Sequence, residues 1–140
     1  MVVVDTFSRK VWLEKMQTKG ALQATRALRS VFQRAGIMPS VIMSDNGTEF
    51  KRQFAELCKE NDIKQNLSRT YTPQSNALAE RSIEDIRKIM RAFMSSENDL
   101  NWASKLKAIE DNKNHTYNST IKTTPDEIWS PDKELSLIHI

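Results

Sequence analysis

The sequence predicts an α/β fold, a mixed β-sheet flanked by helices. Three observations carry that expectation. The chain opens on a β-branched run, Val2-Val3-Val4. Apolar residues then recur at helical spacing from Gly20 onward. A second strand-then-helix cycle follows, starting at Val41. Alternation of this kind, rather than a block of strands or of helices, is the pattern of a sheet covered by helices.

Met1 to Thr6 is apolar and β-branched, and Lys10 to Met16 alternates, with Val11 and Leu13 on one side and Trp12 opposite. With Phe7-Ser8-Arg9 as the turn, these segments predict an antiparallel hairpin. Leu22, Ala24, Leu28, Val31, Phe32 and Ala35 then predict a helix that Gly36 stops. Pro39 leads into Val41 to Met43, whose continuous apolar character suits a strand covered on both faces. Phe54, Leu57 and Cys58 predict a helix within Lys51 to Asn61, and Ile63 to Leu67 a further strand. A loop is expected from Ser68 to Ser75, then a long helix from Asn76 to Ser95 with Ile83, Ile86, Met90 and Phe93 facing inward. Trp102, Leu106 and Ile109 predict one more helix, and Thr124-Pro125 supplies the cap and first turn of a short last one.

Composition bounds the function. At 140 residues, 39% hydrophobic and 28% charged, the chain has material for one globular core. One domain is expected over 1–130, with 131–140 set apart as a tail that need not be native. The apolar runs are too short to span a bilayer, and Asp5 interrupts the first before a signal core forms, so no membrane association and an intracellular setting are expected. The single Cys58 excludes an intrachain disulfide and a cysteine-rich zinc site. His115 and His139 stand far apart without a ligand cluster around them. A net charge of +3 is mild, but Arg81, Arg87, Lys88 and Arg91 gather on one predicted helix, where they are either a solvated face or a set of phosphate contacts.

Two acids stand out. Asp45 opens the run Asp45-Asn46-Gly47-Thr48-Glu49-Phe50 directly behind an apolar strand, and Glu80 starts the long helix after Pro73-Gln74-Ser75-Asn76. Carboxylates at a strand end and on a helix's first turns can meet at one sheet edge and share divalent metal. Taken singly, each also suits a plainer role, Asp45 in a turn and Glu80 near a helix N-terminus. Asn46 and Gly47 read as the turn that presents Asp45, with a positive backbone angle expected at Gly47.

The order of these elements resembles the catalytic core of retroviral and retrotransposon integrases, within the ribonuclease H-like superfamily. The likeness runs from Val2-Val3-Val4-Asp5-Thr6-Phe7-Ser8-Arg9 to Asn118 and Thr124-Pro125, and 34 residues lie between Asp45 and Glu80. The resemblance implies DNA integration by metal-dependent 3′-end processing and strand transfer. It implies two Mg2+ (or Mn2+) ions in a complete site, with Asp45 and Glu80 as catalytic metal ligands. It implies DNA partners, both element ends and target, and a homo-oligomer of at least two chains acting in the nucleus. Gln74, Ser75 and Asn76 match the mobile loop flanking the site, and Arg87 matches a DNA-contacting position, whereas Glu84 stands where some relatives carry Lys. Asp5 matches the hairpin turn rather than the first catalytic aspartate. That acid is therefore expected on an earlier strand upstream of Met1, which leaves this fragment inactive or poorly folded alone. Two other readings stay open: a decayed or domesticated domain that binds DNA or a protein without catalysis, and a ribonuclease H-like nuclease.

Overall fold

The computed structural model describes residues 1–67, 73–97, 101–130 and 137–140. Its elements are β1 (Val2–Asp5), β2 (Val11–Leu13), α1 (Ala21–Ala35), β3 (Val41–Ser44), α2 (Gln53–Glu60), β4 (Lys64–Leu67), α3 (Pro73–Glu97), α4 (Leu106–His115), α5 (Pro125–Ile128) and β5 (Leu137–His139), with a 3-10 turn at Thr48–Phe50. The strands form one sheet in the order β2-β1-β5-β3-β4. β1 is antiparallel to β2 and β5, and β3 is parallel to β5 and β4. The mixed sheet flanked by helices that the sequence predicts is therefore present.

Helices cover both faces. On one face Val3, Trp12, Ile42 and Ile138 pack with Leu28, Val31 and Phe32 of α1 and with Phe54 and Leu57 of α2. On the other, Val4, Val11 and Leu13 pack with Ile86 of α3 and Ile109 of α4. This is why Trp12 and its neighbours are all buried although they point to opposite sides. Cys58 is buried in the first cluster, and desolvation pushes its thiol up to about 11.

α1 ends where expected: Gly36 adopts φ 70 and donates its N–H to the Phe32 carbonyl, a left-handed cap that suits glycine. α5 opens with Thr124 accepting from the Glu127 N–H while Glu127 reaches back to the Thr124 N–H, a complete capping box. Leu22, counted in the helical spacing of α1, is 52% exposed, and the buried stripe of that helix starts at Ala24. Trp102 also lies before its helix and is partly exposed.

Two boundaries differ from expectation. α3 begins at Pro73, so Gln74 and Ser75 join Asn76 in its first turn rather than standing in a loop. A proline lacks the N–H that a first-turn residue would leave unpaired, and its fixed φ starts a helix readily. The rest of the expected loop, 68–72, lies outside the described residues. The second difference is the tail. Leu137–His139, set apart from the domain on sequence, lies between β1 and β3 at the centre of the sheet, with Ile138 fully buried. Burying that side chain contributes about 1.5–3 kcal/mol. Residues 131–136 lie outside the described residues.

β2 is an edge strand, yet its outer backbone groups are not left to water. Asn114 of α4 accepts from the Val11 N–H and donates to the Val11 carbonyl, each at 2.8 Å. Glu110, one turn earlier, accepts from the Leu13 N–H at 2.7 Å. Two side chains of one helix thus take the place of a further strand.

Candidate active site

β3 runs directly into Asp45, which is exposed at the carboxyl end of the strand. Its Oδ1 accepts the Gly47 N–H at 2.9 Å, an Asx turn that holds the carboxylate against its own backbone. The turn is anchored beyond it. Phe50 is buried and meets the Phe54 ring edge-on at 5.1 Å, and its carbonyl accepts from Gln65 Nε2 of β4 at 2.8 Å. An exposed carboxylate therefore rests on a loop tied to the core at both ends.

Gly47 does not have the positive φ expected of it. Its φ is −54, a value open to any residue. What demands glycine is space. A Cβ there would stand 2.5 Å from Glu49 Oε2 and 2.9 Å from Asp45 Oδ1. Both carboxylates crowd the side of Gly47 that a side chain would fill. Glu49 is the site residue that sequence reasoning passed over. It stood inside the same short motif, and the signal for it was a glycine between two acids two residues to either side.

The edge where Asp45 sits is completed by neighbouring strands. Ile140, just past β5, donates its N–H to the Met43 carbonyl at 2.9 Å, and Met1 stands at the start of antiparallel β1. Asp45, Glu49, Arg87, Met1 and Ile140 line one groove of about 590 Å³, whose apolar wall includes Ile83, Ile86 and Met90 of α3. Glu80 is not among its lining residues; it is exposed on α3, seven residues before Arg87, which is about two helical turns. Among the described residues no three of His, Cys, Asp and Glu stand close enough to hold a metal together. The carboxylate oxygens of Asp45 and Glu49 are the hard donors that Mg2+ takes, and an ion held by few carboxylates keeps positions for water or phosphate oxygens.

The four basic residues of α3 do not act as one face. Arg87 opens toward Asp45, whereas Arg81 and Lys88 line a different groove. Arg91 is exposed and lines neither. Glu84 is held by Lys88 at 3.1 Å, so part of its charge is offset where it would oppose phosphate. The side chains of Gln74, Ser75 and Asn76 lie outside the described residues.

Asp5 has a different setting. It is buried, and its Oδ2 accepts from the Ser8 N–H at 2.7 Å and the Ser8 hydroxyl at 2.6 Å. In the sheet it is level with Ile138, and Ile138 with Ile42, three residues short of Asp45. The strand beside β3 on that side, β5, carries Leu137, Ile138 and His139 and no carboxylate.

The model of a family described as the integrase core domain matches residues 1–73. The Pro-Pol polyprotein of simian foamy virus type 1 is 29% identical over 129 residues, covering 91% of this chain but 11% of the polyprotein. Among solved structures, the simian T-cell lymphotropic virus intasome in complex with PP2A regulatory subunit B56 gamma matches with a TM-score of 0.85 and 25% identity, over 94% of this chain and 48% of that one. The HTLV-2 integrase catalytic core domain in complex with magnesium matches with a TM-score of 0.79 over 91% of this chain and 82% of that one; at 22% identity this likeness is one of fold.

Proposed function

The chain belongs to the integrase core domain family, whose model matches more than half of it, and from that premise we propose that it forms the core of a mobile-element integrase that joins DNA ends to target DNA by divalent-metal-dependent transesterification. The observation that carries the proposal is the Asp45 carboxylate, fixed by its Asx turn at the end of β3 and opening on a groove that also holds Arg87. In this reading Asp45 and Glu80 are the catalytic metal ligands, and Glu49 adds a carboxylate beside Asp45. Bound Mg2+ or Mn2+, two ions in a complete site, would activate the attacking hydroxyl and stabilise the leaving oxygen. Arg87, exposed in the same groove, offers a cation to a phosphate, a contact to the backbone that positions DNA without reading its sequence. Gln74, Ser75 and Asn76, on the first turn of α3, are assigned to the same DNA approach, and Arg91 to its outer margin. Integration further assigns the chain to a homo-oligomer acting in the nucleus.

A second reading, a domain that binds DNA without catalysis, is favoured by one observation: among the described residues the strand beside β3 brings no third carboxylate to Asp45. The assay that separates the two incubates the chain with a labelled duplex in Mg2+, in Mn2+ or in EDTA, and follows cut and joined products. Products that need the metal support the integrase. Duplex binding without products in either metal supports the second reading.

Gly47→Ala tests the carboxylate pair itself. The methyl group would displace Glu49 and Asp45 Oδ1, both movable side-chain ends, so stability should change by less than about 1 kcal/mol. Mn2+ affinity, read by titration calorimetry, should fall on the order of tenfold or more because the donors are moved out of place. An unchanged affinity would mean that these two carboxylates do not share an ion.

A further inference from the structure

A second groove, of about 770 Å³, lies between α3 and α4 and is closed by the hairpin turn at Arg9 and the turn after Tyr117. It is lined by Arg9, Arg81, Lys88 and Lys113 against one carboxylate, Asp85. That surplus of three positive charges equals the net +3 of the whole chain. These charges share one concave surface, and a groove lined mostly by one sign of charge draws counter-ions strongly.

Three of the four cations leave capacity for a ligand. Lys113 is committed, at 2.6 Å from Asp85 and with little exposure. Lys88 is exposed and among the described residues pairs with the similarly exposed Glu84 on its own helix, a pair worth little against a phosphate. Arg81 is exposed. Arg9 is half-buried on the groove wall, and its Nε meets no hydrogen-bond acceptor among the described residues, a state that costs free energy. Its position is set in advance: Asp5 holds the turn through Ser8, the Arg9 N–H donates to the Asp5 carbonyl at 2.9 Å, and φ of Arg9 is 63. Tyr117, 62% exposed on the groove wall, adds a ring face for a base or sugar.

We infer that this groove is a second track for a DNA phosphate backbone, separate from the groove that holds Asp45 and Arg87. The identity of the polyanion rests on the integrase reading, whereas the groove and its charge do not. The two grooves lie on different sides of α3, so one chain engages two DNA segments, one at each.

The test measures binding of a fluorescein-labelled 30-bp duplex by anisotropy in EDTA, across a series of KCl concentrations. Arg9→Asn with Arg81→Gln removes two cations, and asparagine accepts the left-handed backbone that Arg9 adopts. Binding at 100 mM KCl should weaken roughly tenfold or more, and the slope of log affinity against log salt should fall by about two, near 0.9 for each phosphate that the variant no longer neutralises. Should Arg9→Asn disturb folding by circular dichroism, Arg81→Gln with Lys88→Gln, both on the exposed face of α3, gives the same readout. Affinity and slope equal to the wild type in the folded variants would overturn the inference. Because the measurement needs neither metal nor chemistry, it can succeed when the joining assay fails, and the reverse.

Discussion

Asp45→Asn is expected to lower metal-dependent DNA joining by roughly a thousandfold, the equivalent of losing several kcal/mol of charge stabilisation supplied through a bound ion. The substitution is conservative where it needs to be. Asparagine keeps an Oδ1 that accepts the Gly47 N–H, so the Asx turn survives. Asp45 is exposed, so stability should move by no more than about 0.5 kcal/mol. What is lost is the negative charge that a hard cation requires. Initial rates in Mg2+ and Mn2+, measured beside thermal unfolding curves, separate the two effects. Asp5→Asn provides the contrast. Asp5 is buried and accepts two hydrogen bonds from Ser8, so its variant should lower the unfolding midpoint first, with joining falling only as the protein unfolds. Equal loss of metal binding in a folded Asp5→Asn protein would move the catalytic assignment to Asp5. Retained joining in Asp45→Asn would remove Asp45 from it.

Glu110→Ala is expected to cost about 1–3 kcal/mol of stability, the range for leaving buried hydrogen-bonding groups unsatisfied, because Arg34 is itself 34% exposed and water screens part of its charge. Glu110 is buried, and its carboxylate accepts from Arg34 Nη1 at 2.8 and 2.9 Å and from the Leu13 N–H at 2.7 Å. Arg34 itself reaches the Leu13 carbonyl at 3.2 Å and Glu14 at 3.0 Å. One carboxylate thus ties α4 to α1 across the open edge of β2. Alanine would leave an edge-strand N–H without its acceptor and a guanidinium with half its partners, a penalty larger than the hydrogen bonds themselves. Urea denaturation checks the magnitude. A loss below about 1 kcal/mol would mean that water replaces the carboxylate at that edge. Glu110→Gln should cost less, since an amide oxygen still accepts from Leu13.

Features set by neighbours in the chain were readable from the order of residues. Helical spacing from Ala24 to Ala35 placed α1 on the sheet, and Gly36 ended it in the left-handed region. An apolar run followed by Asp-Asn-Gly put Asp45 at a strand end, because strand exit and Asx turn both depend on three or four consecutive residues. The capping box of α5 is of the same kind. Where a residue's role depends on what lies across the fold, order in the chain was silent. Leu137–His139 became a central strand through pairing with β1 and β3, more than ninety residues away. Glu110 and Asn114 looked like ordinary polar helix residues until Leu13 and Val11 were placed beside them. Arg81, Arg87 and Lys88 formed one basic cluster in sequence, and helix rotation divided them between two grooves. Gly47 was recognisable as special, but its reason was the side chains on either side of it rather than its own dihedral angle. Backbone propensity and periodicity act over a few residues and are written in the chain; strand pairing, edge protection and the grouping of charges are free-energy choices among distant segments, and only the packed structure makes them.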